Sequence, residues 1–474
     1  MATSSTTFGQ ISRRAALGAL AAGTAGFLAF GPRGQRDAAA AKGRLVIDYW
    51  EKWTSHEGAA MQRVVDTFNA MQSRIYVRYV VASAIHQKAM IAIAGGNPPD
   101  LFGLYSSIIP SYAEAGALRP LNGFADTLAS TYGITLDSYA RGMQSVMTHG
   151  TVKPAPGMAA PAKPEPYWWG VINTGGTLAM YYNRTLFRKA GLDPDRPPRN
   201  IAEMDAANAA LTTVTNGQME RAGFLHMEPG WWSWIWGYHF GGTLYDQPSD
   251  VALANTPANA EAYAWLQAVP RKYGSEAVER FRAGFGPFGT ARQAFLTGDV
   301  AMAIQGAWMA NQIKAFAPDM DYGVCPMPVH ERAYDAANPV ALIDTDVLVL
   351  PAGGPNPEAA LEFLAFTQRQ DNVEALATAH CKGSPLKSVS EGFIANHPNR
   401  GVRLHTQMAD STQAFLAPRT PAWTEYWDLF NTGTASMWKL QDGPSEVLAT
   451  IQSNAQGAID RLSKVRIKRG ESRM

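Results

Sequence analysis

The stretch from Phe295 to Trp308, Phe-Leu-Thr-Gly-Asp-Val-Ala-Met-Ala-Ile-Gln-Gly-Ala-Trp, constrains the fold of this chain more than any other. Gly298 stands where a glycine stops a helix ending near Leu296, and Val300 to Ile304 is an apolar run of buried-strand length. A helix delivers a strand, which is the alternation of an α/β fold. Gly306 lets the backbone turn tightly at the strand's end, and Trp308 follows where an open parallel sheet exposes its carboxyl edge, the usual ligand crevice. Trp308 is then either a ring presented to a ligand or a ring that packs the next helix onto the sheet, and spacing alone leaves both open.

A chain of 474 residues with 46% hydrophobic and 17% charged content can bury large cores and suggests two or three domains. From residue 41 onward it carries 37 basic and 39 acidic groups, a balance that gives no general attraction to nucleic acid. Residues 1–41 read as an export signal: Arg13-Arg14 follow Ser12, a weakly apolar run spans Ala15 to Phe30, and Gly31-Pro32 precede the small residues Ala38 to Ala41. The run is too short and too rich in glycine to span a membrane comfortably, so a twin-arginine signal peptide is favoured over a basic amphipathic helix. The first cysteine is Cys325, so no lipid-bearing cysteine stands at the cleavage site, and a periplasmic protein without a lipid anchor is expected. Cys325 and Cys381 either pair or remain as two buried thiols. Neither has a Cys or His partner at metal-fingerprint spacing, so no metal is expected.

After the signal, a strand-like run from Arg44 to Tyr49 and helical apolar spacing from Ala59 to Met71 leave Trp53, Thr54, His56 and Glu57 in the intervening turn. Glu57 either accepts hydrogen bonds from a ligand hydroxyl or complements the helix dipole as a first-turn acid; Trp53 is the stronger ligand candidate. Ile75 to Val81 and Ile85 to Ile93 repeat the strand and helix, and the short strand after Asp100 ends at Tyr105, Ser106 and Ser107, whose hydroxyls can meet a ligand or cap the next helix. Prolines at 154, 156, 161, 164 and 166 mark a surface insertion. Beyond it, Thr177 to Tyr182 reads as a strand, Asn183 as the cap of a helix through Ala190, and Ile201 as the start of another helix.

His226 to Trp236 holds four of the thirteen tryptophans. If that stretch is helical, Trp232 and Trp236 share one face and Trp231 and Trp234 another, so one face can open toward a cleft; the alternative is a core corner with one tryptophan left at an interface. Asp321 to Met327 and Ala341 to Leu350 read as strands, Pro357 to Thr367 and Ser445 to Leu462 as helices. Alternation along Ala341 to Leu350 puts Asp344 and Asp346 on one face. Trp423, Tyr426 and Trp427 form a last aromatic group.

Taken in order, these pieces resemble the extracellular solute-binding proteins of ABC sugar importers, the family that includes maltodextrin-binding and glycerol-phosphate-binding proteins. Ala301-Met302, Gly306 and Trp308 stand in the family's sharpest motif, supported by Trp50 to Glu57, Phe68-Asn69, Ala94 to Asp100, Gly116 to Leu118 with Pro120-Leu121, Tyr181 to Gly191, and Tyr322-Gly323 with Pro326 and Pro328. The resemblance covers nearly the whole mature chain. It implies an α/β, two-lobed periplasmic binding protein-like (type II) clamp with hinge crossings near Tyr167 to Asn173 and Pro328 to Val340. One lobe would take 44–152 and 338–386, the other 167–332 and 390–474, with 153–166 as the insertion.

The resemblance further implies a carbohydrate ligand held by Trp53, Thr54, Glu57, Tyr105, Ser106, Asn173, Thr174, Gly175, Glu228, Trp231, Gly306, Trp308, Asp344 and Trp427. It implies delivery to the transmembrane subunits of an ABC permease, a monomer, no cofactor and no catalysis. Two departures stand out: Ile172 replaces a proline common before Asn173-Thr174, and the Pro/Ala insertion is unusual. The rival readings are a secreted glycoside hydrolase, in which Glu57, Glu228, Asp344 and Asp346 would supply acids, and a receptor-coupled sugar sensor.

Overall fold

The computed structural model describes residues 41–151 and 165–468, so the signal-like segment and nearly all of the insertion lie outside the described residues. The chain divides into two compact units.

The first unit comprises the described residues up to Leu104, together with Gly116–Arg119 and Leu348–Thr367. Its central strand, Leu45–Glu51, runs parallel to Ile75–Val81, with Leu45 opposite Ile75 and Glu51 opposite Val81. On the other side Tyr49 lies opposite Leu101 of the Leu101–Tyr105 strand; Asp346–Pro351 follows, and Leu118–Arg119 closes the order as an antiparallel edge. Parallel neighbours need a crossover, and the Ser55–Met71 helix supplies it. That helix buries Met61, Val64, Val65 and Phe68, and the Phe68 ring meets Phe363 of the Pro357–Thr367 helix edge-on at 5.2 Å. The helix begins earlier than its apolar spacing indicates. His56 and Glu57 belong to its first turn, leaving Trp53 and Thr54 before it; the first turn is polar and mostly exposed, so no buried apolar residue announces it.

The second unit comprises Tyr105–Ala115, Pro120–Val347 and the described residues from Gln368 on. Its sheet runs Tyr322–Cys325, Leu178–Asn183, Val300–Gly306, Gln218–Phe224, Thr213–Thr215. Val300–Gly306 is buried at every residue, as an apolar run covered on both faces must be. It lies antiparallel to Leu178–Asn183, Gly306 opposite Leu178, and parallel to Gln218–Phe224, Ala222 opposite Val300. The faces alternate: Met180, Tyr182, Met302 and Ile304 join the large core with Trp232, Trp234 and Trp236, whereas Ala179, Tyr181 and Ala303 join Phe295, Met309 and Ile313. The short Ala294–Thr297 helix feeds this strand through Gly298 at φ 81°, a left-handed stop as the sequence indicates. Asn183 caps the Arg184–Lys189 helix by accepting from Leu186 N at 3.0 Å.

Two local expectations are revised. Ala341 to Leu350 is not one strand but Ala341–Leu342 followed by Asp346–Pro351. The break has a physical cause: Asp344 N donates to Gly176 O at 3.1 Å and the Thr345 hydroxyl to Thr174 O at 2.6 Å, so residues 343–345 satisfy their polar groups on a neighbouring segment and alternation fails there. The tryptophan cluster is not a helix. Residues 226–235 form turns, and only Trp236–His239 is helical. Trp232, Trp234 and Trp236 sink into the core while Trp231 stays 40% exposed, which is the core corner with one open ring. The insertion starts and ends in a ladder, Thr148–Thr151 antiparallel to Pro166–Trp168.

Cys325 and Cys381 are buried and not joined in a disulfide, and burial pushes the Cys325 thiol up from its ordinary pKa.

Candidate functional site

The second unit carries most of the candidate residues, organised around Trp308. The strand ends at Gly306, and the half-buried Trp308 ring folds back over it: a Cβ at position 306 would lie 2.3 Å from ring carbons Cη2 and Cζ3. Glycine is therefore the residue that lets the ring lie there. The ring also approaches Gly176, whose Cβ would sit 3.8 Å from Cζ3 and 2.6 Å from Asp344 O. Trp232 lies 6.2 Å from Trp308, centroid to centroid, tilted by 37°. The Lys382 ammonium is 5.7 Å from the Trp308 centroid, within cation–π range.

Two buried contacts hold this arrangement. Asn399, 1% exposed, donates from Nδ2 to Ala307 O at 3.0 Å and to Cys381 O at 2.9 Å, tying the residue before Trp308 to the residue before Lys382. His405 joins the Thr177 hydroxyl to Nδ1 at 2.9 Å and the Tyr181 hydroxyl to Nε2 at 3.2 Å, beneath the segment that carries Gly176.

Polar groups border the rings. Trp232 Nε1 donates to Asp344 Oδ2 at 3.1 Å, which aims that carboxylate beside the Trp308 and Trp232 pair. Trp231 stands edge-on to Trp232 at 5.5 Å and to Phe288 at 4.8 Å. Glu228 is mostly buried, and that desolvation raises its pKa while Arg282 opposes the shift. Arg282 itself is held by Glu279 at 2.7 Å and donates to Met227 O at 2.6 Å.

Tyr105 is 39% exposed, whereas Ser106 is buried and donates its N–H to Thr345 O at 3.1 Å. The Trp423–Trp438 helix packs against Ser106–Ile108 and presents Trp427, 38% exposed, while Trp423 and Tyr426 are core residues. Asn173, Thr174 and Gly175 form a buried support. Asn173 Oδ1 accepts from Gln368 at 2.5 Å, Thr174 O accepts from Thr345, and Gly175 bridges Gly383. The second unit thus brings Ser106, Asn173, Thr174, Gly175, Asp344, Gly306 and Trp308 into one connected network of short contacts, with Trp231 joined through Trp232 and Tyr105 next to Ser106 in the chain.

In the first unit, Trp53 is 5% exposed and its carbonyl is approached closely by Gly58, with Lys52 Nζ 5.7 Å from its ring. Thr54 is exposed at the N-terminal boundary of the Ser55–Met71 helix, and Glu57 is its first-turn acid. Sequence reasoning did not single out Thr345, Lys382, Asn399 or the inner role of Trp232. They come from four separate chain segments, and the one signal available was for Trp232, inside a conspicuous tryptophan run. Among the described residues, no group of three His, Cys, Asp or Glu side chains could hold a metal ion, and no helix is long and apolar enough to cross a membrane.

Residues 52–374 match the model of the bacterial extracellular solute-binding protein family, about two thirds of the chain. The chain belongs to that family. This solute-binding protein is 20% identical over 344 residues to the maltotriose-binding protein of Pyrococcus abyssi, covering 72% of this chain and 66% of the relative. It is 23% identical over 352 residues to the sn-glycerol-3-phosphate-binding periplasmic protein of Pectobacterium atrosepticum, covering 71% and 72%. Among solved structures, CpMnBP1 with mannobiose bound superposes with a TM-score of 0.72 at 22% identity, covering 88% of this chain and 100% of that one. The fold is accordingly the α/β fold of the two-lobed periplasmic binding proteins. The family and its structural neighbours are binding proteins.

Proposed function

We propose that this protein is the carbohydrate-capturing component of an ABC importer, exported by the twin-arginine route, working as a periplasmic monomer without catalysis or cofactor, and handing its ligand to a membrane permease. The observation that carries the reading is the Trp308 ring lying over Gly306, with the Asp344 carboxylate aimed beside it by Trp232 Nε1. Apolar sugar faces stack on such a ring, and a flanking carboxylate accepts hydrogen bonds from sugar hydroxyls. Trp231, Trp427 and Tyr105 are the open rings of the same unit and extend the surface on which further sugar units can rest. Glu228, Ser106 and the 173–175 segment supply polar groups or support for them.

The relatives' ligand names, a maltotriose and a glycerol phosphate, are consistent with polyhydroxylated ligands. A hydrolase using the same acids is disfavoured because the family and neighbours are binding proteins. The test is a thermal-shift screen over mono- and oligosaccharides and polyols, followed by calorimetry on every hit, since a ligand that binds only the folded state raises the melting temperature. Stoichiometric binding without turnover supports the reading. Hydrolysis of any hit by the purified protein, or no stabilisation by any saccharide, overturns it.

A further inference from the structure

Of the tryptophans on this face, Trp231 is the one whose orientation the backbone does least to fix. It is 40% exposed and lies in the turns of residues 226–235, outside any helix or strand. Among the described residues its indole N–H makes no hydrogen bond, whereas that of Trp232 is fixed on Asp344. The Trp231 ring meets two others: Trp232 at 5.5 Å with the planes at 72°, and Phe288 at 4.8 Å and 74°. Edge-on contact is a preferred arrangement of aromatic pairs, so both neighbours oppose rotation of the ring. Trp232 is itself anchored in the core. The plane of Trp231 therefore depends on one anchored ring and on Phe288.

The chain holds Phe288 firmly. It sits between Pro287 and Gly289 in residues 283–293, which are neither helix nor strand. Gly286 N donates to Arg292 O at 2.9 Å and closes this loop, and the Thr290 hydroxyl donates to Pro287 O at 2.7 Å, spanning Phe288. The closure needs its glycine, since a Cβ at position 286 would lie 2.4 Å from Arg292 Cβ. The Phe288 ring packs on the core of Phe295, Met309 and Ile313, on one face of the sheet, whereas Trp232 belongs to the core of the other. Arg282, just before the loop, donates to Met227 O at 2.6 Å, so the loop and the tryptophan turns are joined at two points. The loop then leads through Ala294–Thr297 into the strand that ends at Gly306. One run of chain thus supplies Phe288 and Trp308, and the turns place Trp231 and Trp232 between them, in a row with centroid spacings of 4.8, 5.5 and 6.2 Å.

We propose that Phe288 is a positioning residue for ligand binding: it sets the plane of Trp231 and so governs affinity for a saccharide that reaches Trp231 as well as Trp308. This rests on the carbohydrate reading above. An exposed ring that turns about its side-chain bonds must be ordered when a sugar face stacks on it, and a ring already held in place avoids that cost. Phe288 supplies the holding without being the ring on which the sugar rests.

The experiment titrates the full protein by calorimetry with glucose, maltose, maltotriose, mannose and mannobiose. For the saccharides whose affinity Trp231→Ala lowers, Phe288→Ala should lower affinity roughly two- to tenfold, the range set by the loss of one aromatic pair. Phe288→Tyr, which keeps the ring edge, should bind as the parent does. Phe288→Leu, which keeps the loop packed on its core and loses the edge, should bind as Phe288→Ala does. In the Trp231→Ala background, adding Phe288→Ala should change affinity by less than about twofold. A second readout needs no saccharide: in protein made with 5-fluorotryptophan, the fluorine resonance of Trp231, identified by its loss in Trp231→Phe, should move toward the position of the free amino acid in Phe288→Ala and stay in place in Phe288→Tyr.

A Trp231 resonance unmoved by Phe288→Ala overturns the proposal. So does a Phe288→Leu variant that binds like the parent, an equal loss with and without Trp231, or the lack of any saccharide whose affinity depends on Trp231. Each of these outcomes leaves the carbohydrate reading standing. Failure of every saccharide to bind overturns both.

Discussion

The Trp308 ring rests on the backbone of Gly306, two residues earlier, so closely that a single methyl group at position 306 would lie 2.3 Å from two ring carbons. The strand that ends at Gly306 is buried at every position and paired on both sides, so it cannot shift to make room. The ring, half-buried and backed by Trp232, is the part that must yield.

Gly306→Ala is therefore expected to act through Trp308. Trp308→Ala should lower ligand affinity at least about tenfold while the melting temperature falls by only a few degrees, because a partly open ring loses less packing than a core tryptophan. Gly306→Ala should reproduce the affinity loss. In the Trp308→Ala background, adding Gly306→Ala should change affinity little, since the obstructing ring is gone. Calorimetric titration of the four proteins with any ligand found by screening gives the cycle, and additive losses would show that the two residues act separately.

Asn399 should matter for both stability and the site. Asn399→Ala leaves the carbonyls of Ala307 and Cys381 without their shared donor in a buried setting. Ala307 O keeps the Ala310 N–H at 3.3 Å, but Cys381 O loses its Asn399 donor and the Gly401 N–H loses Asn399 Oδ1, its acceptor at 2.8 Å; each group left unpaired costs about 1 to 3 kcal/mol, so a loss of roughly 2 to 4 kcal/mol in urea unfolding is expected. The Lys382 ammonium should also lose its place over Trp308, which tryptophan fluorescence of the folded variant can report. Unchanged stability would mean that Cys381 O and the Gly401 N–H find other partners.

Acid should destabilise the fold through its buried histidines. Burial lowers the pKa of His226 to about 3 and of His239 and His405 to about 4, against an ordinary value of 6.5. The depressed pKa means that the unfolded chain binds protons the folded chain refuses. The stability these groups contribute is thus fully present above about pH 6.5 and is lost as pH falls toward 4. Each contributes up to about 1.4 kcal/mol per pH unit in that window. The raised carboxyls Asp100, Asp205 and Glu228 work in the opposite direction, in the lower carboxylate range. Urea unfolding at pH 7, 6 and 5 should show the fall, and His226→Leu should reduce the slope by about one proton. His226 suits that test because both ring nitrogens lack a hydrogen-bond partner and its neighbours are Phe224, Trp236, Trp265 and Trp438.

The thiols give a simpler expectation. Cys325 and Cys381 are buried thiols not joined in a disulfide, and burial raises the pKa of Cys325. A thiol reagent should label neither at an appreciable rate in the native protein and both in denaturant without reductant. One or no reactive thiol in denaturant would indicate oxidation.

The helix-to-strand run around Gly298, the caps at Asn183 and Gly298, and the alternating α/β order were legible in the sequence because each depends on a few adjacent residues: a glycine in a left-handed stop, an asparagine accepting from the third residue on, an apolar run of strand length. Family membership was legible for a related reason, since short motifs such as Ala301-Met302 with Gly306 and Trp308 keep their spacing. Periodicity alone could not show that residues 343–345 leave their strand, because what draws them out is a set of carbonyls some 170 residues earlier. Nor could it decide which tryptophan of the cluster remains open: the choice of Trp231 follows from how the turns at 226–235 seat Trp232, Trp234 and Trp236 in the core. Asn399 and Lys382 carried no local signal at all. An amide or an ammonium acquires its role from the carbonyls and rings that the fold sets beside it, and those distances exist only once the chain has closed on itself.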